Sequence, residues 1–346
     1  MRHRLASLAA TLAVSALIVA GFGQSAPTLA AAPTKAPAAA PASKVDYPEK
    51  GKLITFLVPW PAGGGSDIGA RLLANDLEKL LDTRIVVVNK AGAGSQVGLT
   101  EFVSKTKPDG YTVALTNFPA TSTVYLDPRR QANFSRKDFL PLALHAEDVL
   151  GLAVRADTPW KSVKEVFAYV KANPMKLRTS TSGLLSPAHV SEVLMEKEFG
   201  LKFTIVHFDG GAAEGKALLD GSADVGVATI GSAYGAHIRN GEVRALGIAA
   251  KAPSEIWPGV PTWESEGYPF YASSSRGLAL PAGTPKEIVE VWSAALKKAM
   301  ANEDTKKKMA VAGMVIRYMG PEEFAKFWDE QDAKLKPIVA EAAKAQ

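Results

Sequence analysis

Four segments hold residues whose types and spacing suit the binding of a small polar molecule. The first, Pro59-Trp60-Pro61-Ala62-Gly63-Gly64-Gly65-Ser66-Asp67, puts three glycines directly before a Ser-Asp pair that can open a helix. Backbone N–H groups exposed at such a helix start attract an anion, and Trp60, held between two prolines, would be a rigid apolar wall beside them. The same glycines are equally those of a tight turn. The second segment runs from Thr179 through Ser182 and Gly183 to Ser186-Pro187-Ala188-His189, with Ser186 in the N-cap position and His189 in the first turn. A histidine beside the positive end of a helix favours its neutral form, so His189 is expected to act by hydrogen bonding, either to a ligand or to a backbone group. Phe208-Asp209-Gly210-Gly211 is a third loop of this kind, and a strand ending at Thr229 gives a fourth.

Enzymatic chemistry finds little support. The segment Asn89 to Gly98 has glycines at 92, 94 and 98, but Val97 occupies the third fingerprint position, and the next strand ends in Thr116-Asn117 without a ribose-binding acid. No Gly-Lys-Ser/Thr closes the first loop as a P-loop would require. The chain has no Cys, no His-Glu-x-x-His and no Gly-x-Ser-x-Gly, and its five His are scattered. His189 and Glu192 at i and i+3 make only a lone pair. The expectation is therefore a binding protein without catalytic residues, metal or cofactor.

The elements that would position these loops alternate. LITFLV (Leu53–Val58), a helix from Asp67 to Leu81, IVVV (Ile85–Val88), a second helix and YTVAL (Tyr111–Leu115) form a βαβαβ unit. In the first helix Ile68, Leu72, Leu73, Leu77, Leu80 and Leu81 share one face, while Asp76, Glu78 and Lys79 should point away. A second series follows: LGLAV (Leu150–Val154), a helix over 163–171, LRTST, a helix after Ser186, FTIVHF (Phe203–Phe208), a helix through Leu218, DVGVAT (Asp224–Thr229), a further helix and ALGIA (Ala245–Ala249). The tail adds RGLAL (Arg276–Leu280), a helix with a Thr284-Pro285-Lys286-Glu287 capping box, the strand VIRYM and a helix opening at Pro321. Ligands of doubly wound sheets sit at the carboxyl ends of the strands, where all four loops lie. The fold class expected is α/β, two doubly wound, mostly parallel sheets joined by a hinge, with lobe 1 formed by 49–148 plus 272–346 and lobe 2 by 149–271.

Ahead of these elements, Arg2, His3 and Arg4 precede an apolar run from Leu5 to Phe22 and small-residue cleavage positions near Ala26, Ala30 or Ala32. Residues 1–30 read as a signal peptide, and the Ala/Pro-rich stretch within 31–48 as a linker that cannot bury a core. The absence of cysteine leaves neither a disulfide framework nor a lipidated thiol. The net charge of +5 is spread among interspersed Lys, Arg, Asp and Glu, which argues against nucleic acid as a partner.

The segments VPWPAGGGSDIGARLLA, NKAGAGSQVG, KPDGYTVAL, DGGAAEGKALLDGSADVGVAT, GEVRALGIAAKAPSEIWPGVPTWESEGYP and GLALPAGTPKEIV, in this order, resemble the solute-binding receptors of tripartite tricarboxylate transporters, the Bug family. The resemblance runs from about residue 52 to the C-terminus. It implies a monomeric two-lobed periplasmic flytrap that holds a small carboxylate by backbone N–H groups and water, not by arginine forks, and presents it to membrane transporter subunits. A ligand-loaded sensor docking on a signalling kinase is the alternative partner. The pocket residues implied are Trp60, Ala62, Gly63, Gly64, Ser66 and Asp67 with Ser182, Gly183, Ser186 and His189, and more weakly Phe208 and Gly210. The chain departs from the family at Phe208-Asp209, at Val227-Ala228-Thr229 and at Asn117-Phe118. Loss of an acid before Thr229 disfavours an amino acid ligand, and Trp60, Phe118 and Phe208 together suggest an aromatic or apolar carboxylate.

Overall fold

The computed structural model describes residues 46–344; the proposed signal peptide and most of the proposed linker lie outside them. The opening βαβαβ unit is present as β1 (Ile54–Val58), α1 (Gly65–Leu81), β2 (Ile85–Asn89), α2 (Gln96–Lys105) and β3 (Thr112–Phe118), with β1 paired in parallel to both β2 and β3. There follow α3 (Ala120–Leu126), the 17-residue β4 (Phe139–Arg155), α4 (Val163–Ala172), β5 (Arg178–Thr181), α5 (Pro187–Phe199), β6 (Thr204–His207), α6 (Gly211–Leu219), β7 (Val225–Thr229), α7 (Ile230–Arg239) and β8 (Val243–Ile248). The chain then returns through β9 (Ser273–Pro281), α8 (Lys286–Ala301), α9 (Glu303–Val311), β10 (Val315–Met319) and α10 (Pro321–Lys344).

Two segments join the halves. β4 pairs antiparallel with β9 as far as Val149↔Ser273, and from Leu150 and Gly151 onward pairs antiparallel with β7 and β8. β5 lies parallel to β6 and β7, so each half keeps a parallel block. The sheets are nevertheless mixed and not mostly parallel, because β9 runs antiparallel to β3 and β4, β10 antiparallel to β4, and β4 antiparallel to β7 and β8. The first half of β4, Phe139–Val149, is not visible as a strand in the sequence. Pro141, His145, Glu147 and Asp148 break its apolar alternation, and the backbone absorbs them with register shifts at Pro141/Ala143 and Leu144/Ala146.

Each half has its own apolar cluster. One gathers Phe56, Leu73, Leu77, Trp292 and Leu296, the other Leu152, Phe167, Val225 and Trp263. Three local expectations change. Asp76 is buried, accepting a 2.6 Å hydrogen bond from Thr305, since α9 covers that side of α1, whereas Leu80 is 42% exposed. Thr284 caps nothing: its hydroxyl donates to the Pro281 carbonyl at 2.8 Å, and α8 starts after Pro285 without a side-chain cap. Tyr47, assigned to the linker, is a core residue whose Oη donates to the Gly110 carbonyl and accepts from Trp292 Nε1, each at 2.6 Å.

Candidate functional site

Loops from both halves meet at one cavity of about 70 Å³, room for about five water-sized groups. On one side the chain leaves β1 at Val58 and turns through Gly63, whose φ of +80° favours glycine, into α1. The N-cap is Gly64, not Ser66 or Asp67, and it supplies no side-chain acceptor, so the first N–H groups of α1 face the cavity uncapped. Asp67 instead holds the loop from behind. Its carboxylate accepts from Gly63 N and Asn89 Nδ2, each at 3.0 Å, and from Arg71 Nε at 3.1 Å. Burial works to raise its pKa, but these partners outweigh that and keep it below the usual range. Ser66 Oγ accepts from Asn117 Nδ2, whose amide oxygen accepts from Ser274 Oγ at 2.8 Å.

The opposite wall comes from the second half. Ser182 and Ser186 precede α5, Gly210 and Gly211 open α6, and Thr229 with Ser232 opens α7. A Cβ on Gly64 would lie 4.0 Å from Gly211 N, so the α1 and α6 starts face each other across the cavity. Each helix start carries roughly half a positive charge, and the cavity therefore favours an anion.

Of the residues expected at the site, Trp60, Ala62, Gly64, Ser66, Ser182, Ser186, Gly210 and Thr229 line this cavity. Gly63 and Asp67 shape it without lining it. Gly183 and Phe208 line a neighbouring, wider recess, where Arg130 bridges the Ala93 and Leu184 carbonyls at 2.8 and 3.0 Å. Ser186 is the N-cap of α5, its Oγ accepting from His189 N at 3.3 Å. His189 Nδ1 in turn accepts from Leu185 N at 2.9 Å, so the ring serves a backbone group. Burial, and next the nearby His207, push its pKa down to about 4. Phe118 does not line the cavity: it is buried against Phe324, Phe327 and Trp328, which leaves Trp60 as the aromatic wall.

The residues that the sequence does not single out are charged and buried. Arg276 of β9 and Glu214 of α6 line the cavity, and Asp148 of β4 stands 3.6 Å from the Arg276 guanidinium. Asp148 also accepts from Gly231 N at 3.1 Å and Ser232 N at 3.0 Å, which caps α7. Burial pushes the Asp148 pKa up and that of Arg276 down, each offset by the other. Burial, reinforced by Asp148, raises the Glu214 pKa well above its ordinary value, which weakens its repulsion of an anion. The available signal was compositional: a lone Arg ahead of GLAL and a lone Glu in the helix start GAAEG.

This arrangement, two halves built on parallel blocks, exchanged through β4 and β9 and closing on a cavity rimmed by helix starts, is the two-lobed fold of periplasmic binding proteins. The model of the tripartite tricarboxylate transporter family receptor matches residues 69–343, and the chain belongs to that family. It is 32% identical over 335 residues to the UPF0065 protein in the gbd 5′ region of Cupriavidus necator, covering 95% of this chain and 98% of that protein. Among solved structures it is similar to MatC of Rhodopseudomonas palustris with bound malate (TM-score 0.76, 28% identity, 85% of this chain and 100% of that one). It is likewise similar to the periplasmic binding protein BugD (TM-score 0.75, 26% identity, 86% and 98%). Among the described residues no helix is long and apolar enough to cross a membrane.

Proposed function

We propose that this chain is exported to the periplasm by cleavage of its leader and captures a small carboxylate between lobe 1 (49–148 with 272–346) and lobe 2 (149–271). It then presents the ligand to the membrane subunits of a tripartite tricarboxylate-type transporter and catalyses no reaction. The observation that carries this reading is the convergence of the α1, α5 and α6 starts, from both halves, on one cavity also lined by the buried Arg276. Ligand bound between the lobes would favour the closed arrangement by contacting both at once. The malate held by the related MatC supports a carboxylate of this size.

The test is a thermal-shift and calorimetric screen of the chain from residue 45 against mono-, di- and tricarboxylates, amino acids and nucleotides. A carboxylate at 100 times its Kd should stabilise the protein by about 2.7 kcal/mol. A shift with a nucleotide and with no carboxylate would overturn the proposal.

A further inference from the structure

Glu214 stands in the first turn of α6, lines the cavity and is 1% exposed. Its Oε1 is closed off without a hydrogen-bond partner, whereas Oε2, on the side of Ser182, is not closed off. A buried carboxylate carries its charge on both oxygens and needs donors at each. The neutral acid can leave its carbonyl oxygen bare at much lower cost. With Oε1 as that carbonyl, the hydroxyl falls on Oε2, the side-chain oxygen left to the cavity beside the N–H groups of the α6 start.

The surroundings point the same way. Asp148 of β4 is already held by Arg276 of β9 and by two N–H groups of α7, and Arg276 spends its contacts on Asp148 and Ser232. From α5 comes Glu192, both of whose oxygens lack a partner, and from α7 comes Tyr234, whose hydroxyl lies 3.3 Å from Ser180 Oγ. Asp209, just ahead of α6, is exposed, and Asp67 of α1 is held by Arg71 and Asn89. Burial and the Asp148 charge both favour the neutral form of Glu214. An entering anion adds one more negative charge beside it, and two adjoining carboxylates favour sharing a proton.

We propose that Glu214 is a specificity-determining residue that meets the ligand carboxylate as a neutral acid, donating a hydrogen bond from Oε2–H to it beside the α1 and α6 starts. This rests on the carboxylate-receptor reading and adds a proton to it. Where Glu214 is ionised in the free protein, one proton is taken from solvent with each ligand, stays on Oε2 while the ligand is bound, and returns to solvent on release. Affinity should therefore fall as pH rises through the pKa that Glu214 has in the free protein.

The experiment is titration calorimetry with malate from pH 6.5 to 9.5 at fixed ionic strength, in buffers of different ionisation enthalpy so that protons are counted. Malate stays a dianion over this range, and the pKa values of His189 and His207 are both pushed below the ordinary histidine value, so these rings stay neutral. Wild-type affinity should fall at least about tenfold across the range, with uptake approaching one proton per malate at its upper end. Glu214→Gln keeps a donor and cannot ionise. It should bind within about fivefold of wild type at pH 6.5, take up no proton, and bind more tightly than wild type at pH 9.5. Glu214→Leu keeps the bulk without a donor and should bind at least about tenfold more weakly than wild type at pH 6.5, again with a flat profile. If Glu214→Leu does not fold, the Gln comparison decides alone. A wild-type profile as flat as that of Glu214→Gln, or proton uptake that persists in Glu214→Gln, would overturn the role of Glu214 and leave the receptor reading standing. If the wild-type protein binds neither malate nor any other carboxylate at any pH in the range, the receptor reading fails and this proposal with it.

Discussion

Gly65 is the residue at which a single methyl group tests lobe closure. A Cβ there would overlap Ser232 of α7, which belongs to the opposite half, and would stand 2.5 Å from Arg276 Nη2. Overpacking of this kind costs about 1–3 kcal/mol. Because the Ser232 overlap arises where the halves meet, the cost falls on the closed state, and Gly65→Ala should weaken carboxylate binding by about 5- to 140-fold. Opened halves relieve the Ser232 overlap but not the approach to Arg276 Nη2, which lies in the same half, so the ligand-free melting temperature should fall as well and only the Ser232 part of the loss reports closure. Ser232→Gly removes the atoms that collide, so the double variant should regain a large part of the lost affinity, giving a coupling energy of about 1 kcal/mol or more in a double-mutant cycle. Calorimetric affinities and melting curves on the four proteins supply the cycle. An affinity unchanged in Gly65→Ala, or a loss that Ser232→Gly does not relieve, would refute closure through this contact.

His145 is wholly buried, and burial, with Arg276 second, pushes its pKa down to about 3. A histidine kept neutral in the fold gains a proton only on unfolding. Its contribution to stability is therefore full above pH 6.5 and is lost as pH falls from about 6.5 toward 3, amounting to about 3 kcal/mol by pH 4.5; His145→Leu should flatten that slope in urea titrations, and an unchanged slope counts against the assignment. Tyr47→Phe removes the hydroxyl between Gly110 and Trp292 and should cost about 1–2 kcal/mol in denaturant melts, against near zero if residue 47 were linker. Arg130→Ala cuts the bridge between the Ala93 and Leu184 carbonyls, one in each half, and should speed ligand release in stopped flow several-fold with little effect on association.

The parallel blocks were legible because β1, β2, β3 and β7 are short apolar runs followed by loops rich in Gly, Ser or Thr, and such loops mark helix starts. The same rule located Trp60, Gly64, Ser66, Ser182, Ser186 and Gly210. What was not legible depends on partners distant in the chain. Phe118 is at the end of β3, but whether it faces ligand or core is decided by α10, more than two hundred residues on, whose Phe324, Phe327 and Trp328 enclose it. Asp76 falls on the polar side of α1 until α9 packs over it. Arg276 and Asp148 sit in strands, and a charge in a strand acquires meaning only when the antiparallel register of β4 and β9, which pairs Ala146 with Arg276 and Asp148 with Ser274, makes the two residues diagonal neighbours. Local periodicity carries no information about that register.

The charge inventory of the cavity gives it the sign of its ligand. Asp148, Arg276, Glu214 and Glu192 are buried at or behind its walls, and an uncompensated charge there would be expensive. Asp148 and Arg276 offset each other, and the hydrogen bonds from Gly231 and Ser232 spread the carboxylate's charge into α7. Glu214 and Glu192 have no such cation; burial raises both pKa values well above the ordinary value, which disfavours their ionised forms. The field that remains is that of the helix starts and of a guanidinium only partly neutralised at 3.6 Å. The selectivity follows from this balance. An anion meets the uncapped helix starts, whereas a cation would gain a partner in Glu214 only against the burial and the Asp148 charge that oppose its ionisation.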